Sequence, residues 1–282
     1  GKLEALHSFA LSIIESAKID ENTHLERWLT SRMQHRIEEV TANLEELKTR
    51  SALEIALFEV WNDFRWYIRR KGKLNAKAVQ EALDIWLRLL APFAPHICEE
   101  LWNAMGKRTF ISLAEWPQVD KAKIDVTAEE HENFLIDLIE DTLNVLKATK
   151  ITPKQICYYT AANWKWQVYR RIMEKAIEGE VKINDVMKEL AQDPSLKANM
   201  KAAASLVPKA IKSISKLPNE RKARIIKIAA FNEKEIIEAA ASFLKERFNA
   251  EVKVYNEEDT QRYDPKQRAT LALPGQPAIY IE

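Results

Sequence analysis

The scarcity of glycine restricts the possible folds of this chain more than any other feature, because only five glycines occur among 282 residues. Loops that cradle phosphate depend on glycine, since a tight turn and a close backbone approach leave no room for a side chain. Neither GxGxxG nor GxxxxGK followed by Ser or Thr occurs, and the glycines are too widely spaced to form either pattern. The sequence therefore excludes a nucleotide-binding domain built on such a loop.

The cysteines and the chain start set further limits. Cys98 and Cys157 lie far apart without a CxxC pair, which argues against a thiolate zinc site and a disulfide framework. No signal peptide and no membrane-spanning apolar run is evident, so we expect a cytoplasmic protein. An apolar helical rhythm begins directly after Gly1 without an N-cap residue, so we expect a fragment of a longer chain.

Apolar residues recur every three or four positions through the first 105 residues, which predicts a bundle of amphipathic helices. Thr23 with Glu26, and Ser51 with Glu54, match the capping box that opens a helix. The stretch PFAPHICEELW (92–102) predicts a corner between two helices, because Pro92 cannot continue the first and Pro95 suits the first turn of the second. A passage with a short β-like segment, TFISL (109–113), leads out of the bundle.

Helix and strand patterns are mixed in the rest of the chain. A capping box at 127–130 predicts a helix. The prolines at 194 and 208 are expected to break residues 183–215 into short helices. Strands are expected at 154–160, 251–255 and 278–281. The predicted fold class is multidomain. It consists of an all-α helical bundle, residues 1–120, followed by a smaller α+β domain with a helical insert, residues 121–282.

Positive charge is concentrated in one part of a chain whose formal net charge is only +1. Residues 1–120 hold 16 Lys and Arg against 18 Asp and Glu, residues 147–227 hold 18 against 7, and the final 55 residues hold 7 against 10. The excess of cations in residues 147–227 is typical of a surface that binds a polyanion. Nucleic acid fits best, because phosphate neutralisation releases counterions. A lysine-rich solvated surface is the alternative.

Cations and aromatic residues at helical spacing mark the candidate RNA contacts. In RWYIRRKGK (65–73) the cations suit either a phosphate backbone or compensation of a helix dipole. Trp164 lies outside the apolar arc of its helix, so its indole either stacks on an unpaired base or packs over the helix start. The candidate residues are Arg65, Trp66, Arg69, Arg70, Lys73, Trp164, Lys165, Arg170, Arg171, Lys175, Lys209, Lys212, Lys216, Arg221, Lys222 and Arg224.

A catalytic alternative rests on His96 with Glu99 and Glu100. A histidine in a first helical turn beside two glutamates is more often a solvated helix start. We therefore expect no catalytic site in this chain.

The segment APFAPHICEELW (91–102), followed by ISLAEWP (111–117), resembles the anticodon-binding domain of class I aminoacyl-tRNA synthetases of the leucine, isoleucine and valine group. The downstream residues, ending in LPGQPAIYIE, are similar to the C-terminal extension of archaeal-type leucyl-tRNA synthetases. No cysteine-rich zinc module and no sustained heptads follow, which favours the leucine enzymes over the isoleucine and valine enzymes. The HIGH and KMSKS signatures of the catalytic domain are absent.

This resemblance implies a tRNA-docking role for leucine tRNA, whose variable arm is long. The bundle would hold the tRNA body and the C-terminal domain would reach that arm, with base contacts from the tail that includes Tyr280 and Ile281. The resemblance implies no metal or cofactor in this chain, and places ATP, Mg²⁺ and the catalytic and editing domains upstream. A helical scaffold with a basic face for an acidic protein, and a valyl or isoleucyl homologue, remain alternatives.

Overall fold

The computed structural model describes residues 1–16, 22–228 and 231–282. The chain divides into two compact units, Gly1–Glu129 and Glu130–Glu282. The sequence places the boundary earlier, after residue 120. The later division has a physical cause, because Glu129 is buried in the first unit against Ser31 and His35.

The first unit is a helical bundle. Its apolar stripes meet in one core, in which Leu29, Met33, Leu83 and Trp86 are fully buried. Because each stripe repeats every three or four residues, each helix presents one continuous face to this core. The helices are α1 (Lys2–Ser16), α2 (His24–Glu45), α3 (Thr49–Glu54), a π-helical turn (Ile55–Glu59), α4 (Val60–Lys71), α5 (Ala76–Leu90) and α6 (Pro95–Ala104).

The second unit joins a small mixed sheet to helices. In strand order β2-β1-β3, the central strand β1 pairs parallel with β2 and antiparallel with β3. Helices α8 to α11 form the helical insert around their own apolar cluster. The elements that follow α6, of which α7 begins within the first unit, are α7 (Val126–Thr149), β1 (Gln155–Thr160), α8 (Asn163–Glu178), α9 (Ile183–Gln192), α10 (Met200–Ile214), α11 (Asn219–Lys227), α12 (Glu233–Ala239), α13 (Ala241–Phe248), β2 (Glu251–Asn256) and β3 (Ala278–Ile281).

The predicted fold class is confirmed, since an all-α bundle precedes an α+β part with a helical insert. The α+β part is the longer of the two units and not the smaller, because the helical insert adds to its length. The helix corner is also confirmed, since α5 ends at Leu90 and α6 begins at Pro95. Among the described residues, none of the helices combines the length and the apolar character needed to cross a bilayer.

Two of the three predicted capping boxes are wrong. The box at Thr23 is present, with Glu26 accepting from the Thr23 backbone N–H. Ser51, in contrast, lies inside a helix that already begins at Thr49. At α7, Asp125 takes the capping role two residues before Thr127, because its carboxylate accepts from Ala128 N at 2.9 Å and also pairs with Arg27.

Two local predictions fail because tertiary context outweighs the local pattern. The segment TFISL contains a 3-10 turn, Ile111–Leu113, and buries only Ile111. Pro208 lies inside α10 and does not end it. The Pro208 side chain is exposed, whereas Leu206 and Val207 pack into the core.

Candidate nucleic-acid interface

One face of α10 and the residues after it carry exposed lysines. The apolar side chains of α10 are buried, so its other side faces solvent, and Lys201, Lys209 and Lys212 lie there within one narrow arc at 100° per residue. Lys216 is exposed in the turn that follows the helix. None of these four ammonium groups has a hydrogen bond or an ion pair within the described residues. We call these four residues the lysine face.

The sequence around the lysine face contains no acid. No Asp or Glu occurs from residue 194 to residue 219. The positive potential of the face is therefore not cancelled by neighbours along the chain, and an anion meets no local repulsion. The sequence candidates included Lys209, Lys212 and Lys216 but missed Lys201, which this acid-free run would have identified.

The candidate cations of α8 are engaged inside the fold. Lys165 is buried, and its ammonium group donates to Glu257 at 2.5 Å and to the Ala272 carbonyl at 2.7 Å. Arg170 donates to the Ile228 carbonyl at 2.6 Å. A side chain with these contacts would have to give them up before it could bind a phosphate.

Arg171 and Lys175, further along α8, pair with acids of the helical insert. Arg171 forms an ion pair with Asp193, and hydrogen bonds from Ser195 and Arg171 lower the pKa of Asp193 to about 2. Lys175 lies 2.7 Å from Glu189, and both side chains are partly exposed. Trp164 is half-buried against the apolar cluster of the insert, with the Lys165 ammonium 5.9 Å from its ring centre.

The three candidates of α11 are also occupied. Arg221 lies 3.2 Å from Glu130 and 2.8 Å from Asp137, and Arg224 lies 3.4 Å from the same buried Glu130. Lys222 is 6% exposed and donates to Asn219 at 2.9 Å. Arg221 and Arg224 thus neutralise a buried carboxylate within the second unit, a role that their spacing in the sequence does not reveal.

The end of α4 forms a second basic region, in the first unit. Arg65, Arg69 and Lys73 are exposed, and Trp66 and Arg70 are half-buried. The Arg69 guanidinium lies 5.7 Å from the Trp66 ring centre, and its Nε donates to the Arg65 carbonyl at 3.2 Å. The structure thus brings all five of these candidates to one helix end.

The tail lies in the sheet. Ile281 is buried and pairs with Ile156, while Tyr280 is half-buried, pairs with Cys157 and lies 6.3 Å from the ring of Tyr263. Gln155 and Glu282 exchange backbone hydrogen bonds, so by alternation the backbone groups of Ile281 point away from β1. Only these backbone groups of Ile281, and not its side chain, are placed for contacts outside the sheet.

The catalytic alternative at the helix corner has no assembled site. Glu99 accepts from the Ile111 backbone at 3.0 Å, and Glu100 pairs with His7 at 3.3 Å, while His96 is exposed. Cys98 is buried, and burial raises its thiol pKa to about 12. Within residues 1–16, 22–228 and 231–282, no group of three or more His, Cys, Asp or Glu side chains is placed to hold a metal ion.

Comparison with known proteins gives consistent matches. Residues 26–158 match the family of the anticodon-binding domain of tRNA ligase. The leucine–tRNA ligase of Methanococcoides burtonii is 34% identical over the whole chain, and that of Methanothrix thermoacetophila is 36% identical. The chain spans 29% of the length of each of these relatives.

A solved structure, the ternary complex of the Agrobacterium radiobacter K84 agnB2 LeuRS with tRNA and LeuAMS, is similar at 17% identity and a TM-score of 0.39. The match covers 71% of this chain and 21% of that one.

Proposed function

We propose that this chain is part of a leucine–tRNA ligase, and that this part of the protein binds tRNA and performs no bond chemistry itself. In support, the chain matches ligases of that name over its whole length while spanning 29% of theirs. In this proposal the catalytic and editing domains, with ATP and Mg²⁺, belong to the remaining length of a cytoplasmic ligase. The present chain needs no metal or cofactor of its own. Its partner is leucine tRNA.

The lysine face carries this proposal. Four exposed ammonium groups follow one another along α10 and the turn after it, without an acid nearby in sequence and without an intramolecular partner in the described residues. Their spacing suits the regular phosphates of an RNA helix, and each neutralised phosphate releases condensed counterions. Lysine contacts of this kind fix the position of the RNA without reading its sequence.

The proposal assigns separate tasks to the two units. The α4 end, with Arg65, Arg69 and Lys73, contacts the body of the tRNA. The lysine face contacts the backbone of the long variable arm, and the outward backbone groups of Ile281 contact bases at its tip. Lys165, Arg221, Lys222 and Arg224 have no phosphate contact in this proposal, because ion pairs and hydrogen bonds within the fold already occupy them.

Binding to two transcripts tests this assignment. One transcript is leucine tRNA, and the other is the same tRNA with its variable arm shortened to the length found in most tRNAs. We expect about tenfold weaker binding of the shortened transcript, equivalent to about 1.4 kcal/mol. Equal affinity for the two would contradict a role in binding the variable arm.

Competition among tRNAs tests the family assignment of the partner. Unlabelled valine and isoleucine tRNAs, which serve as matched competitors, should displace labelled leucine tRNA less effectively than leucine tRNA itself. Equal displacement would show that the chain does not discriminate leucine tRNA. An acidic protein that displaces all three tRNAs would instead favour the scaffold alternative.

A further inference from the structure

A cavity of about 610 Å³ lies in the second unit where the parallel strands β1 and β2 both end. Thr160 and Asn256 are the last residues of these strands, and α8 begins beside them at Asn163. Crevices outside the carboxyl ends of parallel strands are common ligand sites, and this volume lies in the range of small-molecule pockets, about 300–1,000 Å³.

One face of α8 lines this cavity. Asn163, Trp166, Gln167 and Arg170 occur at i, i+3, i+4 and i+7, so they project toward the same side of the helix. The opposite face is apolar and buried in the helical insert. The amides of Asn163 and Gln167 are exposed, and neither side chain has a hydrogen-bond partner within the described residues.

Aromatic rings form a wall of the same cavity. Trp166 and Phe231 both line it, with ring centres 5.4 Å apart and an angle of 49° between the rings. Trp166 is half-buried, so part of its ring faces the open space. Free amides beside an aromatic ring combine hydrogen-bonding edges with a stacking surface.

The charged groups that line the cavity are engaged within the fold, which argues against a phosphate or a metal ion as the occupant. Lys234 pairs with Asp259 at 2.9 Å, and Arg170 donates to the Ile228 carbonyl. Glu233 is 3% exposed, and its carboxylate accepts from the backbone N–H groups of Ala161 and Gly275. The groups left to meet a ligand are neutral amides and aromatic rings.

We propose that this cavity receives one unstacked nucleobase of the bound RNA, with Trp166 as the stacking surface and the amides of Asn163 and Gln167 on the base edge. Amide side chains carry both a donor and an acceptor, and single-stranded RNA bases are recognised by such edge contacts together with aromatic stacking. The assignment rests on the proposed tRNA-binding function. It adds a side-chain contact to a base in the same unit, beside the base contacts proposed for the backbone of Ile281, whereas the lysine face contacts only the RNA backbone.

The double variant Asn163→Ala with Gln167→Ala tests the proposal on the full chain. Both side chains are exposed, so the fold should persist, which circular dichroism checks. We expect about tenfold weaker binding of leucine tRNA, with an unchanged slope of log K against log salt, because no phosphate contact is lost. The matched control is Asn184→Ala with Gln192→Ala, which removes one exposed Asn amide and one exposed Gln amide from α9. It should leave the affinity unchanged.

A second variant, Gln167→Trp, puts a bulky side chain into the lining of the cavity and should weaken binding as the double variant does. Unchanged affinity in both variants, with wild-type tRNA binding intact, would overturn the nucleobase site and leave the proposed function standing. Absence of tRNA binding by the wild-type chain would overturn both.

Equilibrium dialysis with each of the four free nucleosides distinguishes a base of the bound RNA from a free nucleoside as the occupant of the cavity. We expect no saturation below the millimolar range, because an RNA base arrives at a high effective concentration from its neighbours on the bound strand. Saturation at micromolar nucleoside that the double variant abolishes would overturn the RNA assignment in favour of a free nucleoside.

Discussion

At the scale of single residues, the environment of a cation decides whether it can meet an RNA. Lys165 and Lys209 are the same residue type in the same basic segment. Lys165 is 6% exposed and bonded to a carboxylate and to carbonyls, whereas Lys209 is exposed and has no partner in the described part of the chain. Moving Lys165 to a phosphate would leave the Glu257 carboxylate, whose side chain is only 9% exposed, without its counter-charge, which is costly.

A residue-scale prediction concerns the pH dependence of the first unit. Ser31 and His35 both contact the buried carboxylate of Glu129, and His35 Nε2 lies 2.9 Å from it. The hydrogen bond with Glu129 raises the pKa of His35. Because the folded pKa lies above the unfolded one, this pair contributes stability in full below about pH 6.5 and loses it as pH rises through the folded pKa.

Urea unfolding of the first unit between pH 5.5 and 8.5 checks this. The free energy of unfolding of the wild type should fall over the upper part of this range, and His35→Gln should flatten the fall. His7→Gln, which removes the 3.3 Å contact with the exposed Glu100, is the control. Parallel profiles for the wild type and His35→Gln would show that the pair does not couple proton binding to folding.

At the scale of elements, periodic apolar spacing was a sufficient guide to most helices, because burial of one face dominates their stability. The helices α2, α5 and α8, and all three strands, form where the sequence predicts them. Helix starts were less predictable. Asp125 displaces Thr127 as a cap through a pair with Arg27, a residue remote in sequence.

The π-helical turn between α3 and α4 is an element that apolar spacing does not reveal. There the backbone pairs Val60 N with Ile55 O, and the Ala56 carbonyl instead accepts from the buried Trp86 indole at 2.7 Å. Trp86 also stacks on Phe64 at 5.0 Å. The turn and the tryptophan therefore depend on each other.

We predict that Trp86→Phe destabilises the first unit by about 2–3 kcal/mol, because a buried carbonyl loses its donor and the smaller ring leaves space. Trp61→Phe is the matched control. Its indole nitrogen is buried without a hydrogen-bond acceptor in the described residues, so that substitution loses packing only. Urea unfolding of both variants gives the comparison, and equal losses would contradict the role of the hydrogen bond.

At the scale of the whole molecule, the sequence identifies a basic segment but does not separate its exposed cations from those that pair with acids inside the fold. Ion pairs such as Arg221 with Glu130, and Lys165 with Glu257, join residues about 90 positions apart, so no local pattern predicts them. Among the candidate cations, the exposed ones lie on the lysine face in the second unit and at the α4 end in the first. Asn163 and Gln167 carry no charge and lie outside the apolar stripe of α8, so neither pattern identifies them.

We expect the exposed lysines of the helical insert to bind RNA phosphates. Replacing Lys209, Lys212 and Lys216 together by Gln removes three candidate contacts from exposed positions, so the fold should be unaffected. The control replaces Lys245, Lys253 and Lys266 by Gln. These three are exposed residues of the acidic final segment, so the same charge is removed from the same unit.

The deciding measurement is the affinity for leucine tRNA across salt concentrations, plotted as log K against log salt. If these lysines bind phosphates, we expect a steep negative slope for the wild type and for the control. The slope for the variant of the lysine face should be smaller in magnitude by about 2–3. A flat dependence for the wild type, or an unchanged slope in the Lys209, Lys212 and Lys216 variant, would contradict that binding.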